Sequence, residues 1–249
     1  MFEVLIWILI CFFLPVTILF FCCACCAGQR YQVPVIYYTN LIISILIYHC
    51  MTFFWWEILH GIVERFFYYF AVTASLYFKS CIALERYFFI AFPLLNCIRQ
   101  PKGSVLVFVL VWVLCFVSAA LAVTIEDCSR LIIHAFFPAP VLIFCLAGTI
   151  KALPAATSVS TEEKRRIVGT LVLLLFNYFL INLPAVNLSI YLTGNVDLYC
   201  IAFLIFFLFG HFVDFTLFIF MQNGPVDKLL ACMCYCSETA ADISSRSSV

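Results

Sequence analysis

The run from residue 35 to residue 92 is apolar for far longer than the roughly 20 residues that one bilayer crossing needs. It must turn within itself, and Gly61 with Glu57 and His60 marks the place. Similar runs fill the rest of the chain, separated by "AGQRYQVP", "PLLNCIRQPKGS", "EDCSR", "ALPAATSVSTEEK" and "TGNVD". The predicted helices are 2–27, 35–57, 59–92, 104–125, 133–153, 165–192 and 197–221. Of 249 residues, 66% are hydrophobic and 10% charged, whereas a soluble domain is roughly half apolar and a quarter charged. The expected solvent is therefore lipid, and the expected fold an all-α membrane protein, a seven-transmembrane helix bundle. Residues 1–224 form that domain, and 225–249 an interfacial helix and cytosolic tail. Zero net charge argues against a nucleic-acid partner, and the apolar runs leave no room for a soluble catalytic domain.

The first apolar stretch could be a signal peptide, but its leader, Met-Phe-Glu, has no base and its apolar run exceeds a signal core. A retained span is the better reading. With the N-terminus outside, the inner loops and tail hold Arg30, Arg99, Lys102, Lys151, Lys164, Arg165, Arg166, Lys228 and Arg246. The outer loops hold Arg65 and Arg130. That bias predicts a multi-pass plasma-membrane protein with a cytosolic C-terminus. No inverted repeat or pair of Gly/Pro-broken helices points to a transporter.

Most of the fifteen cysteines lie in apolar helices, where free Cys behaves as a small hydrophobe. None has zinc-site spacing with His. After Met221, "QNGPVDKLLACMCYC" ends the last span and begins a short two-faced helix suited to the interface. Cys232, Cys234 and Cys236 there are candidates for S-palmitoylation; the alternative is an interfacial helix with unmodified thiols. Low apolar content in the last dozen residues predicts disorder.

Charge inside apolar helices is costly and usually paired or functional. In "CIALERYFFIAFPLL" an acid and a base stand side by side, Glu85 and Arg86, followed by Tyr87. By themselves they could simply mark the water interface at the inner end of the third helix. In a seven-span chain, however, "ALERYFFIAFPL" resembles the Asp/Glu-Arg-Tyr signature of the rhodopsin-like (class A) G-protein-coupled receptors, with its Pro seven residues after the Arg. The resemblance implies that Glu85 restrains Arg86 at rest and that Arg86, with Tyr87 beside it, meets a G protein on activation.

Other family marks follow in order: Asn40-Leu41, Ser75, Trp112, Phe137 with Pro140, Pro184 in "INLP", and "DFTLF" from Asp214 to Phe218 where the family has Asn/Asp-Pro-x-x-Tyr. The resemblance extends from about residue 10 to 232. There are departures. Thr17 replaces the first-span Asn, Ile45 the sodium-binding Asp, Asn182 the toggle Trp, Phe215 the Pro and Phe218 the Tyr. Gly61 stands where the third span has its Cys, so Cys128 lacks its standard partner. The sequon at Asn187 falls inside the sixth helix. Little chain precedes the first span. The expectation is a divergent receptor with a short or truncated N-terminus.

Lys79 lies about 10.5 Å, two turns, from Arg86 on one face of the third helix. The family register places it in the bundle interior near Asp214. A buried ammonium needs a partner, and Asp214 is the expected one; the alternatives are snorkelling to the interface or a damaging substitution. The intramembrane switch set is thus Lys79, Asp214, Phe218, Asn182 and Pro184. Tyr68, Tyr69, Asn187, Tyr191 and His211 are candidate ligand contacts at the outer side, although most aromatics in such a bundle only pack. His60, His134 and His211 would titrate near neutral pH, but packing explains them as readily as sensing.

Two functions of different class are expected from this reading. The first is a receptor passing the signal of a small-molecule or lipid ligand to a heterotrimeric G protein by shifting a two-state bundle. The second is a non-signalling or decayed receptor-like protein that modulates a partner receptor. The altered sixth and seventh spans favour the second; Glu85-Arg86-Tyr87 and the basic "EEKRRI" favour the first. No enzymatic nucleophile–base pair, cofactor site or metal cluster is read.

Overall fold

A computed structural model describes residues 9–28, 34–55, 62–92, 101–124, 136–157, 159–182, 209–210 and 212–218. Among these the structure is all-helical, without strands. A π-helical turn, Leu9–Phe13, runs into α1 (Leu14–Gly28); then come α2 (Pro34–Trp55), α3 (Ile62–Ala91), α4 (Pro101–Thr124), α5 (Pro138–Ala152) and α6 (Thr161–Asn177). The last of these passes directly into a second π-helical segment, Tyr178–Asn182. A terminal helical segment follows at 212–218.

The predicted boundaries need three corrections. The first helix opens as a π-turn rather than a regular α-helix, and at the join Thr17 Oγ1 donates to the Phe13 carbonyl at 2.7 Å, giving that carbonyl a partner where the two ladders meet. The fourth helix starts at Pro101 rather than 104, because proline suits the first helical position, where no amide proton is required. The sixth starts at Thr161 rather than 165. There the Ser160 side chain accepts from the Glu163 amide at 3.2 Å, and Glu162 and Glu163 face the positive end of the helix.

α3 is the central element, packed against α2, α4, α5 and α6. Its residues 76 to 80 are buried on consecutive positions, all round the helix. The core joins Tyr37, Tyr38 and Leu41 of α2 to Phe78 and Ile82 of α3, Leu142 of α5, and Leu171 and Leu174 of α6.

α4 reverses the pattern of a soluble amphipathic helix. Small residues Cys115, Ser118, Ala119 and Ala122 point inward at helical spacing, which allows close backbone approach. Leu106, Leu110, Val113, Phe116 and Val117 point outward, Leu106 being 61% exposed. Phe136, Phe144, Phe176, Leu180 and Phe212 are also exposed on other elements. Among the described residues, Val105–Thr124 is the one helix that is long and apolar enough to cross a membrane. Cys11–Cys22, Ile36–Ile47 and Pro138–Ala152 are shorter apolar helices.

Candidate functional site

Midway along α3, Lys79 Nζ lies 2.9 Å from Asp214 Oδ1, with the two side chains only 4% and 6% exposed. The same Oδ1 accepts a hydrogen bond from Asn177 Nδ2 at 2.8 Å. Behind it, the Tyr38 hydroxyl donates to the Asp214 backbone carbonyl at 2.9 Å. One residue thus ties α2, α3 and α6 to the terminal segment. Each contribution comes from a polar side chain that its helix buries among apolar neighbours, away from water. A buried ion pair does not by itself add stability, since desolvating both charges offsets their attraction. It does fix register between α3 and the segment that carries Asp214, which cannot rotate or slide past one another without stranding a charge.

Aromatic packing holds the terminal segment in place. Phe218 stacks on Tyr38 with ring centroids 4.7 Å apart, Phe215 stacks on Phe20 of α1 at 4.2 Å, and Phe20 meets Phe218 edge-on at 5.7 Å. Phe215 and Phe218 thereby form a close-packed apolar contact with α1 and α2. Ile45 is buried in the core, and gives that layer no acid.

Two turns along α3 from Lys79, Arg86 Nε lies 3.5 Å from Glu85 Oε2, an ion-pair contact between chain neighbours. Tyr87 points to α5, where its ring meets Phe144 edge-on at 5.2 Å and fills the space over Gly148. A Cβ at Gly148 would fall 2.5 Å from Tyr87 Cε2, so the close α3–α5 approach depends on that glycine. The neighbouring Thr149 is buried, and its hydroxyl makes no hydrogen bond among the described residues.

On the other side of α3, Trp112 Nε1 donates to Asn40 Oδ1 at 2.8 Å, and Asn40 Nδ2 donates to the Ile36 carbonyl at 2.8 Å. The Trp112 indole stacks on Phe70 at 5.3 Å and meets Phe78 edge-on at 5.2 Å. This polar contact joins α2 to α4 beside α3.

Of the residues singled out from the sequence, the structure brings Lys79, Asp214 and Phe218 into one layer and Glu85, Arg86 and Tyr87 into a second. Asn182 ends the π-helical segment after α6. Tyr69 is half-buried against the core. Tyr68 lies on α3, its side chain outside the described residues. Also outside them are Pro184, Asn187, Tyr191, His211, Cys128, Cys232, Cys234 and Cys236. Sequence reasoning missed Asn177, Tyr38 and Gly148. Asn177 had a visible signal, as a lone amide within "LVLLLFNYFL"; Gly148 had none.

No protein-family model matches the chain, and no curated protein matches it.

Proposed function

We propose that the chain is a seven-span plasma-membrane receptor of the rhodopsin-like kind, with an outer small-molecule or lipid ligand and a heterotrimeric G protein as inner partner. The observation that carries this reading is α3 itself. One helix bears a buried charge paired to the terminal segment and, two turns along, the Glu85–Arg86 contact with Tyr87 locked beside it. The inverted surface of α4 supports the membrane setting, since exposed apolar area of that extent otherwise marks an interface. In a bilayer it faces acyl chains, and the inward small residues set the helix packing.

On this reading the resting state keeps Arg86 on Glu85 and the Lys79–Asp214 layer closed. A ligand that favours a second arrangement of the bundle shifts the population by its difference in affinity for the two. Arg86, released from Glu85, then meets the G protein. The deciding experiment is G-protein dissociation across the four main Gα classes in cells expressing the chain or its Arg86→Ala variant. The receptor reading expects basal signal in at least one class and its loss in Arg86→Ala. Signal unchanged by Arg86→Ala would remove Arg86 from the coupling role.

A second reading has its own observation. The Phe20–Phe215 and Tyr38–Phe218 stacks pack the 212–218 segment closely against α1 and α2. A bundle closed in this way suits a non-signalling protein that modulates a partner receptor. No signal in any Gα class would favour it.

Orientation is tested separately. A C-terminal epitope should stain only after permeabilisation, as the basic-residue bias requires. Staining of intact cells would place Arg86 outside and end both the orientation and its coupling role.

A further inference from the structure

We propose that the inner end of α1 is an S-acylation site, where Cys22 and its neighbours Cys25 and Cys26 take a long-chain acyl group as a thioester. Burial sorts the described cysteines into two kinds. Cys115 and Cys145 are buried and Cys81 is half-buried, all three packed in or against the core. Cys11 and Cys22 are exposed. They share one side of the first helix with Pro15, Ile18 and Leu19, which are exposed too, at the spacing of a single helical face. The other side holds Thr17, which is buried, and Phe20, which stacks on Phe215. Cys22 therefore faces what surrounds the bundle and takes no part in its packing.

Position separates the two exposed thiols. Cys11 lies in the π-helical turn that opens the first helix, at the outer end when the N-terminus is outside. Cys22 lies six residues, roughly 9 Å, before Gly28, the last residue of α1, and Gln29 and Arg30 follow directly. Cys22, Cys23, Cys25 and Cys26 fill four of five consecutive positions there. Regular helix continues through them to Gly28, so the helical repeat puts positions 25 and 26 on the side of Cys22. A lipid-facing thiol at the cytosolic end of a span is a suitable acceptor for acyl transfer. The cysteine sulfur attacks the carbonyl carbon of a long-chain acyl-coenzyme A. The new carbon–sulfur bond forms as the coenzyme A thioester breaks, and the coenzyme A sulfur leaves with the proton that the cysteine gives up. One thioester is exchanged for another, so no oxidant is needed. The attached chain would lie along the exposed side of α1 and leave the Phe20–Phe215 stack undisturbed. The cytosolic placing rests on the membrane reading and its orientation; the sorting of the cysteines does not.

Acyl-exchange mass tagging of the full-length chain expressed in cells counts the thioesters. The starting variant carries Cys232→Ser, Cys234→Ser and Cys236→Ser, so that the tail contributes none. It should keep at least one hydroxylamine-dependent tag. Adding Cys22→Ser, Cys25→Ser and Cys26→Ser should abolish that tag, whereas adding Cys11→Ser or Cys81→Ser instead should leave it unchanged. A starting variant without a tag would overturn the site, and so would a tag that survives loss of the three cysteines. If the variant lacking all six cysteines does not reach the surface, mass spectrometry of the wild-type peptide ending at Arg30 decides the matter. A thioester there on Cys22, Cys25 or Cys26 supports the site, and an unmodified peptide overturns it. A chain silent in the G-protein assay whose tag is lost with the three serines keeps the site and loses only the receptor reading. A signalling chain without the tag loses only the site.

Discussion

Lys79→Met should destabilise the folded chain by about 3–5 kcal/mol, the penalty for leaving one charge of a buried pair without its partner. Asp214→Asn should have a similar effect from the other side. The double variant should recover much of the loss. The reason lies in the burial: Nζ and Oδ1 are 2.9 Å apart, with side chains 4% and 6% exposed. In Lys79→Met the carboxylate keeps the Asn177 amide but loses its countercharge. In Asp214→Asn an ammonium is held in the core facing a neutral amide. In the double variant both charges are gone, and the Asn177 and Tyr38 contacts to position 214 can be rebuilt around an amide. Melting temperature in detergent and surface expression, measured for all four chains, give the interaction energy as a double-mutant cycle. A double variant whose loss is the plain sum of the singles would mean that the two residues do not act as a pair.

Gly148→Ala should destabilise by about 1–3 kcal/mol, the range for overpacking a filled site. Gly148→Val should lie at the upper end of it. The new Cβ falls 2.5 Å from Tyr87 Cε2 and 3.2 Å from Cδ2, so either the ring or α5 must move. The ring has little freedom, with Phe144 edge-on at 5.2 Å, Phe92 at 6.0 Å and Phe88 at 5.4 Å. A backbone shift would separate α3 from α5, its broad packing partner. Tyr87→Leu in the Gly148→Ala background should restore most of the melting temperature, since the flexible aliphatic side chain can vacate the contested volume. Restoration by Tyr87→Leu but not by Phe144→Leu assigns the clash to the named ring. If Gly148→Ala melts with the wild type, the α3–α5 contact is looser than the geometry requires. Because Tyr87 follows Arg86 directly, the same variant should also perturb whatever signal depends on Arg86.

Several features were legible before any tertiary contact was known, each because a local physical cost gives it away. Helical runs follow from apolar length, and the central role of residues 79 to 87 from charges that apolar helices rarely tolerate. Asn177 was legible in principle, as an amide in an apolar run needs a partner wherever it is placed. The true start of α6 was legible too: Ser160 with Glu163 three residues on is a capping signature, and the structure uses the serine half of it. The polarity of "STEEK" resembles that of a loop, but its capping chemistry makes it the first turn of the helix.

Other features depended on how the helices are turned about their own axes. The sequence determined that Lys79, Asp214, Asn177 and Tyr38 would each need a polar neighbour, because burying a polar group without one is costly in any fold. Only the tertiary structure decided that all four would meet at one residue, with Asn177 and Lys79 on the same oxygen. It alone also singled out Gly148 as the surface on which Tyr87 rests. An apolar helix reads almost equally well at every rotation, so periodicity cannot orient it; its facing is set by interhelical packing, which depends on all the neighbouring helices at once.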